Sequence, residues 1–186
     1  MSQIETSRIV IDAFVRTFKA QKHLADTAIA QLNEAHLRAP LDENTNSVCV
    51  IMKHLSGNLR SRFTDFLTED GEKPWRDRDD EFVDSFGSRE QMLEEWEEGW
   101  QALFIALDVL LPTDLPATVM IRGEPHSVAL ALSRALAHTG YHTGQIVQTA
   151  RVMAKEQWAT ITVSRGGSRA HNLKHGFDAR RAGSGG

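Results

Sequence analysis

Residues 137–147 read AHTGYHTGQIV. His138 and His142 stand four positions apart within a helical pattern. On an α-helix that spacing puts both side chains on one face, with Cβ atoms about 5–6 Å apart. Two imidazoles so placed can reach one metal ion, at roughly 2.0–2.1 Å per Zn–N bond. Gln145 and Thr149 continue the face, and Ala131 and Ala135 precede it, small enough to leave room beside a neighbouring helix. Two histidines among Ala, Thr, Gly and Gln point to a pocket inside a helix bundle. The pair also fits two surface residues, or core residues each bonded to a backbone carbonyl. It lacks the adjacent Glu of the H-E-x-x-H zinc motif. A metal site therefore needs a third ligand from another part of the chain.

The motif lies on the last of four amphipathic segments, residues 127 to about 155. The first, residues 4 to about 35, carries Val10, Phe14, Phe18 and Leu32 on a 3.6-residue stripe, with Leu24, Ala25 and Ala28 between them. Residues 33–46 read as a connection, with Pro40 and a polar cluster breaking the pattern. The second helix, residues 47 to about 68, follows an Asn46 or Ser47 cap. Its stripe is Val48, Ile51, Leu55, Leu59, Phe63 and Phe66. The third, residues 88–111, opens on a Ser88/Gln91 capping box. Met92, Leu93, Trp96, Trp100, Leu103, Phe104, Leu107 and Leu111 form its apolar stripe, and Pro112 ends it.

His54 and Asn58 lie one turn apart at the edge of the second stripe, as pocket-lining residues do. On spacing, His54 is preferred as third ligand over His23, His36 and His126. His23 reads as a surface or half-buried residue, and His126 as a supporting or surface residue. Cys49 lies about 140° around the helix from His54, so it reads as packing.

Between the second and third helices runs EDGEKPWRDRDDEFVDSFG, residues 69–87. A loop this long is usually functional or disordered. Its aromatics predict a segment folded over the bundle with Trp75 as anchor; a solvated charged loop is the alternative. Before the fourth helix, Val119 and Ile121 alternate with polar neighbours and Arg122-Gly123-Glu124-Pro125 looks like a turn, which allows a short β-hairpin. After it, an alternating stretch passes into a Gly- and Arg-containing loop, and residues 173–186 read as a flexible tail. The whole predicts an all-α four-helix bundle over residues 1–172, with cofactor chemistry built from facing helices.

The chain has 186 residues and a formal net charge of −4. One domain with a sizeable core is expected. The charge argues against non-specific nucleic-acid binding. The basic end, with Arg165, Arg169, Arg180 and Arg181, has no aromatic stacking platform to change that. No run approaches the ~20 apolar residues of a membrane span, and the first residues lack the pattern of a secretory signal. With Cys49 the sole cysteine, a cytoplasmic protein is expected.

The segments NSVCVIMKHLSGNLRSRFTDFLTEDGEKPWRDRDDEF, IRGEPHS, LAHTGYHTGQIV and WATITVSRGGSRAHN resemble an uncharacterised bacterial branch of the DinB-like superfamily. The resemblance covers nearly the whole chain to about residue 172. It implies an up-down-down-up four-helix bundle and a three-histidine metal site of His54, His138 and His142. It also implies kinship with bacillithiol- and mycothiol-dependent transferases. A divalent transition metal, Zn or Ni first, is then the expected cofactor, with a low-molecular-weight thiol as co-substrate.

Three neutral imidazoles suit such metals and leave a coordination position open. Asn58 and Gln145 are candidates to orient a bound water or thiol. Arg122 can meet a substrate carboxylate, although a surface salt bridge is the simpler role. The expected partners are a small-molecule substrate and a second copy of the chain. A metal-dependent hydrolase is the alternative enzyme, weakened because no carboxylate base adjoins the histidines in sequence. A metal-binding stress or interaction protein is the non-enzymatic alternative.

Overall fold

A computed structural model describes residues 2–177. Ser2 opens α1 (Gln3–Ile29) with a reciprocal capping box. Its hydroxyl accepts from the Glu5 N–H, and the Glu5 carboxylate accepts from the Ser2 N–H. The helix start thereby satisfies donors that have no partner within the helix. Ile11, Phe18, Ala25, Ala28 and Ile29 are its buried residues. Ile11 heads this stripe, whereas Val10 is exposed. The long first helix expected to about residue 35 is in fact two helices. α1 stops at Ile29, and Asn33 caps α2 (Glu34–Arg38) by accepting from the His36 N–H. An Asn side chain that satisfies a free N–H favours a new start over continuation of the old helix.

Ser47 caps α3 (Val48–Phe63) through the Val50 N–H. The whole expected stripe, Val48 to Phe63 with Phe66 beyond it, is buried. α3 ends before the expected boundary because Asp65 adopts a φ of 50°, a left-handed conformation that terminates helices. α4 (Arg89–Asp108) is capped by Ser88, which accepts from the Gln91 N–H. Gln91 reaches back one residue further than a simple box requires, accepting from the Gly87 N–H at 2.8 Å.

The hairpin is present as antiparallel β1 (Thr118–Ile121) and β2 (Glu124–Ser127). Its turn is only Arg122-Gly123; Glu124 and Pro125 belong to β2. Both turn residues have positive φ, 55° and 73°, as a two-residue type I′ turn demands. Asp70 clamps it, accepting from Arg122 N–H at 2.8 Å and Gly123 N–H at 2.7 Å. Ser127 then caps α5 (Val128–Ala154). A short α6 (Ser168–Lys174) stands where a Gly- and Arg-containing loop was expected. Of the expected tail, residues 178–186 lie outside the described residues.

α1 packs mainly on α5 and α3 mainly on α4, while α3–α5 and α1–α4 contacts close the ring. The protein is thus a helical bundle with one small hairpin. Gly99 lets α4 approach α3, since a Cβ there would lie 2.6 Å from Ser56 Cα. Trp96 and Trp100 fill the same interface, their rings edge-to-face at 5.6 Å. This tight α3–α4 pair holds α3 in register, so His54 faces α5 at a fixed height. No helix among the described residues is long and apolar enough to cross a membrane.

Candidate metal centre

His54 from α3 and His138 and His142 from α5 meet at the α3–α5 contact. One ligand atom from each falls within 4.8 Å of the others, and the three can hold a metal ion. His54 Nε2 and His138 Nε2 are 3.2 Å apart. Two nitrogens bound to one tetrahedral zinc at about 2.05 Å are separated by roughly 3.3 Å, so this pair fits such an ion. The three rings stand edge-on to one another, with centroids 4.6–5.2 Å apart. His54 and His142 are almost fully buried, and His138 is half-buried.

The outward nitrogens fix which nitrogen carries the proton. His54 Nδ1 is 3.0 Å from Glu81 Oε2, so it donates to the carboxylate and leaves Nε2 with its lone pair. His142 Nδ1 is 2.7 Å from Gln145 Oε1, and Gln145 Nε2 in turn donates to the Tyr141 hydroxyl at 3.2 Å. Such outer partners orient a metal-binding imidazole and raise its basicity. Burial, and then the neighbouring His142 and His54, push His138 down to about 4. Burial also lowers His142, against the raising effect of its Gln145 bond. His138 is therefore neutral near pH 7, the form that binds metal.

The carboxylate on His54 arrives on the long loop. Burial alone would raise the Glu81 carboxyl, but hydrogen bonds from His54 and Arg76 outweigh it and hold the group below its usual range. Arg76 grips Glu81 with two bonds, at 2.7 and 3.0 Å, and its side chain is 1% exposed. Phe82 follows in a 3-10 turn and stacks on the His54 ring at 4.7 Å. Lys53 holds this stretch from α3, donating to Asp80, Val83 and Ser85. Arg38 of α2 forks onto Asp84 at 2.6 and 2.7 Å. The loop does fold over the bundle, but Trp75 is not its anchor. That indole is 54% exposed and only meets the Arg60 guanidinium at 5.5 Å. Ion pairs provide the anchorage, the partly exposed Lys53–Asp80 and Arg38–Asp84 and the buried Arg76–Glu81, whose carboxylate also satisfies the histidine behind it.

On the hairpin side, His138 and Asn58 border a cavity of about 290 Å³ between α3, α5 and the hairpin. Asn58 stands in the wall of this cavity, one helical turn beyond His54.

A family model described as "Protein of unknown function (DUF1572)" matches residues 5–167. The chain belongs to the DUF1572 family. That family lies within the DinB-like group. A search of curated proteins finds no match, and a search of solved structures finds none.

In this DUF1572 chain the three histidines chosen from the sequence come together, and the other candidates do not join them. His23 is exposed and His36 half-buried. His126 is buried, but its Nδ1 lies 2.9 Å from the Glu124 carbonyl and its Nε2 meets Arg134 Nη1. Cys49 is fully buried, and burial, with Asp84 beside it, pushes its thiol up to about 12. Gln145 bonds to His142, and Asn58 borders the cavity. Arg122 makes an ion pair with Glu72 at 3.1 Å. Sequence reasoning missed Glu81, Arg76 and Phe82. The one available signal was a pair of charges of opposite sign, five apart, inside a loop too long to be a simple linker.

Proposed function

We propose that this protein is a metal-dependent enzyme that activates a low-molecular-weight thiol for attack on a small electrophile. The observation that carries this is the double membership of His138, which belongs to the histidine cluster and also lines a cavity of small-molecule size. The three imidazoles would hold a divalent metal, Zn or Ni first, which would supply Lewis acidity when bound. The chain's own part is positional. Glu81 and Gln145 fix the proton on the outer nitrogens of His54 and His142, and Phe82 covers the His54 ring. Asn58 offers an amide that can accept from or donate to a ligand in the cavity. Glu81, the carboxylate bonded to the cluster, is committed to His54 and Arg76, so it is not placed to serve a hydrolase as base.

An up-down-down-up helix order, residence in the cytoplasm and a homodimer complete this reading. The exposed apolar side chains Ile4 and Ile9 of α1, with Ile105 of α4, supply a surface for the pairing, which sedimentation can test.

The deciding experiment compares the metal content of the purified protein with that of a His54→Ala, His138→Ala, His142→Ala triple variant. Near one metal per chain, lost in the variant while helicity survives, is expected. Metal-dependent loss of free thiol in the presence of a chloronitrobenzene electrophile would then support the transferase. Ester or amide cleavage without thiol would move the assignment to a hydrolase. An intact dimer with no turnover in either assay would leave the interaction protein.

A further inference from the structure

The cavity beside His138 has a chemical bias of its own. Arg62, Arg78, Arg122 and Arg134 line it, with Glu124 the only carboxylate in its wall among the described residues. Behind the wall a single group, Glu72, is shared among several guanidinium groups. Its Oε2 lies 3.1 Å from Arg122, 3.5 Å from Arg62 and 4.0 Å from Arg78, and Arg76 lies at 3.6 Å. Arg76 has a second partner in Glu81. Arg122 takes the hydrogen bond to Glu72, and Arg62 and Arg78 have longer contacts to the same oxygen, with Asp70 the further carboxylate acting on Arg62. Arg62 Nη1 is buried with no hydrogen-bond partner. Burial first, and then repulsion from Arg76, lower the Arg62 pKa against the attraction of Glu72 and Asp70.

Arg134 is held differently. His126 Nδ1 faces the Glu124 carbonyl, which can only accept, so this nitrogen carries the proton. Its Nε2 is then an acceptor for Arg134 Nη1. Arg134 thus reaches the cavity oriented by the His126 ring and pairs with no carboxylate among the described residues. Apart from Asn58 and His138, the remaining wall is apolar, with Phe63, Met120 and Ala135 among its members. Guanidinium groups in excess over carboxylates recognise carboxylate or phosphate by paired N–H bonds, and an apolar floor selects an organic body.

We propose that this cavity binds the carboxylate or phosphate of a small, partly apolar molecule and sets it beside His138. The proposal deepens the function above: it rests on that reading for calling the molecule a substrate. Anion recognition itself depends only on the arginines.

Calorimetric titration of the full chain with benzoate, phenylphosphonate and the neutral benzamide tests it, on protein as purified and again after chelator treatment and dialysis. At least one anion should bind in both preparations, with benzamide at least tenfold weaker. A preference for benzoate assigns a carboxylate ligand, and one for phenylphosphonate a phosphate-bearing one. Arg134→Gln, an exposed helical position, and Arg122→Asn, a residue tolerant of positive φ, should each weaken the anion at least fivefold with helicity unchanged. The remote exposed variant Arg16→Gln should leave it as it was. Equal binding of benzamide, insensitivity to both pocket variants, or no anion binding overturns the proposal. Binding confined to metal-containing protein also overturns it, because the anion would then sit on the metal. Failure of the metal site alone leaves the metal-free titration standing.

Discussion

Glu81 occupies the space that a side chain at residue 57 would fill. A Cβ built on Gly57 would lie 2.9 Å from Glu81 Cδ and 3.2 Å from its Cγ. Gly57 is one turn beyond Lys53 and three residues after His54, inside α3. A glycine in a helix interior costs up to about 1 kcal/mol relative to alanine. Here it opens a slot through which a loop carboxylate reaches the back of a candidate metal ligand. Gly57→Ala should therefore displace Glu81 from His54 without harming α3. The expected result is a loss of metal affinity of about 10–100-fold, the usual cost of removing an outer partner, with helical content kept. Glu81→Gln should fall in the same direction. Competition titration with a chromophoric chelator reads both. Unchanged affinity in Gly57→Ala would show that the Glu81 contact does not tune the site.

Arg76 makes a second test, this time of stability. Its guanidinium is buried and joined to Glu81 by two bonds. Removing one member of a buried pair leaves the other charge uncompensated and typically costs about 3–5 kcal/mol. Arg76→Ala should lower the unfolding free energy by an amount in that range, read from the urea midpoint and slope. Arg78→Ala, whose side chain is 44% exposed and lies 4.0 Å from Glu72, should cost less than about 1 kcal/mol. Equal effects of the two variants would place the loop's anchorage elsewhere.

Much of this arrangement is legible in the sequence, and the illegible part has one physical cause. Helix caps and stripes are local: Ser47, Ser88 and Ser127 mark their helix starts, and the stripe of α3 is buried residue for residue. The first helix was drawn too long because its apolar pattern runs on through Leu32, which is buried beyond the end of α1. The His138–His142 spacing is also local, but it does not identify a metal site by itself. His171 and His175 repeat it, with rings 4.5 Å apart, on an exposed surface. His54 and the resemblance distinguish the two pairs. Glu81, Arg76 and Phe82 act across loop closure, and no periodicity announces which charge of a charged loop will turn inward. The loop's aromatics point to Trp75 as its anchor, whereas the loop is held by charges that pair with His54 and Lys53.

Acid should weaken the metal-free protein in a defined window. His138 is pushed down to about 4 in the folded chain, against about 6.5 for an unfolded histidine. Between those values the unfolded chain binds more protons, so stability rises with pH. The contribution is complete above about pH 6.5 and is lost as pH falls towards 4. Glu81, held below its usual range, acts in the same direction: its contribution is present above the unfolded carboxylate pKa and lost as pH falls through the folded value. Urea denaturation of chelator-treated protein from pH 7 down to pH 4 should show a steady decline, reduced in His138→Ala. A flat profile in the native chain would mean that the three imidazoles are not buried together.

Metal addition supplies the complementary test. A ligand that binds only the folded chain stabilises it by about 2.7 kcal/mol when free metal is 100 times its dissociation constant. For a domain of this size, 1 kcal/mol moves the melting temperature by about 2–4 °C, so zinc or nickel should raise it by roughly 5–11 °C. His138→Ala removes a donor that lies 3.2 Å from His54 Nε2 and should abolish most of the rise. His175→Ala changes one member of the exposed pair with the same spacing and should leave it intact. Differential scanning fluorimetry across metal concentrations measures all three. Loss of the rise in His175→Ala, with His138→Ala behaving as the native chain, would move the metal to α6 and leave His54, His138 and His142 as a buried polar cluster bonded to Glu81 and Gln145.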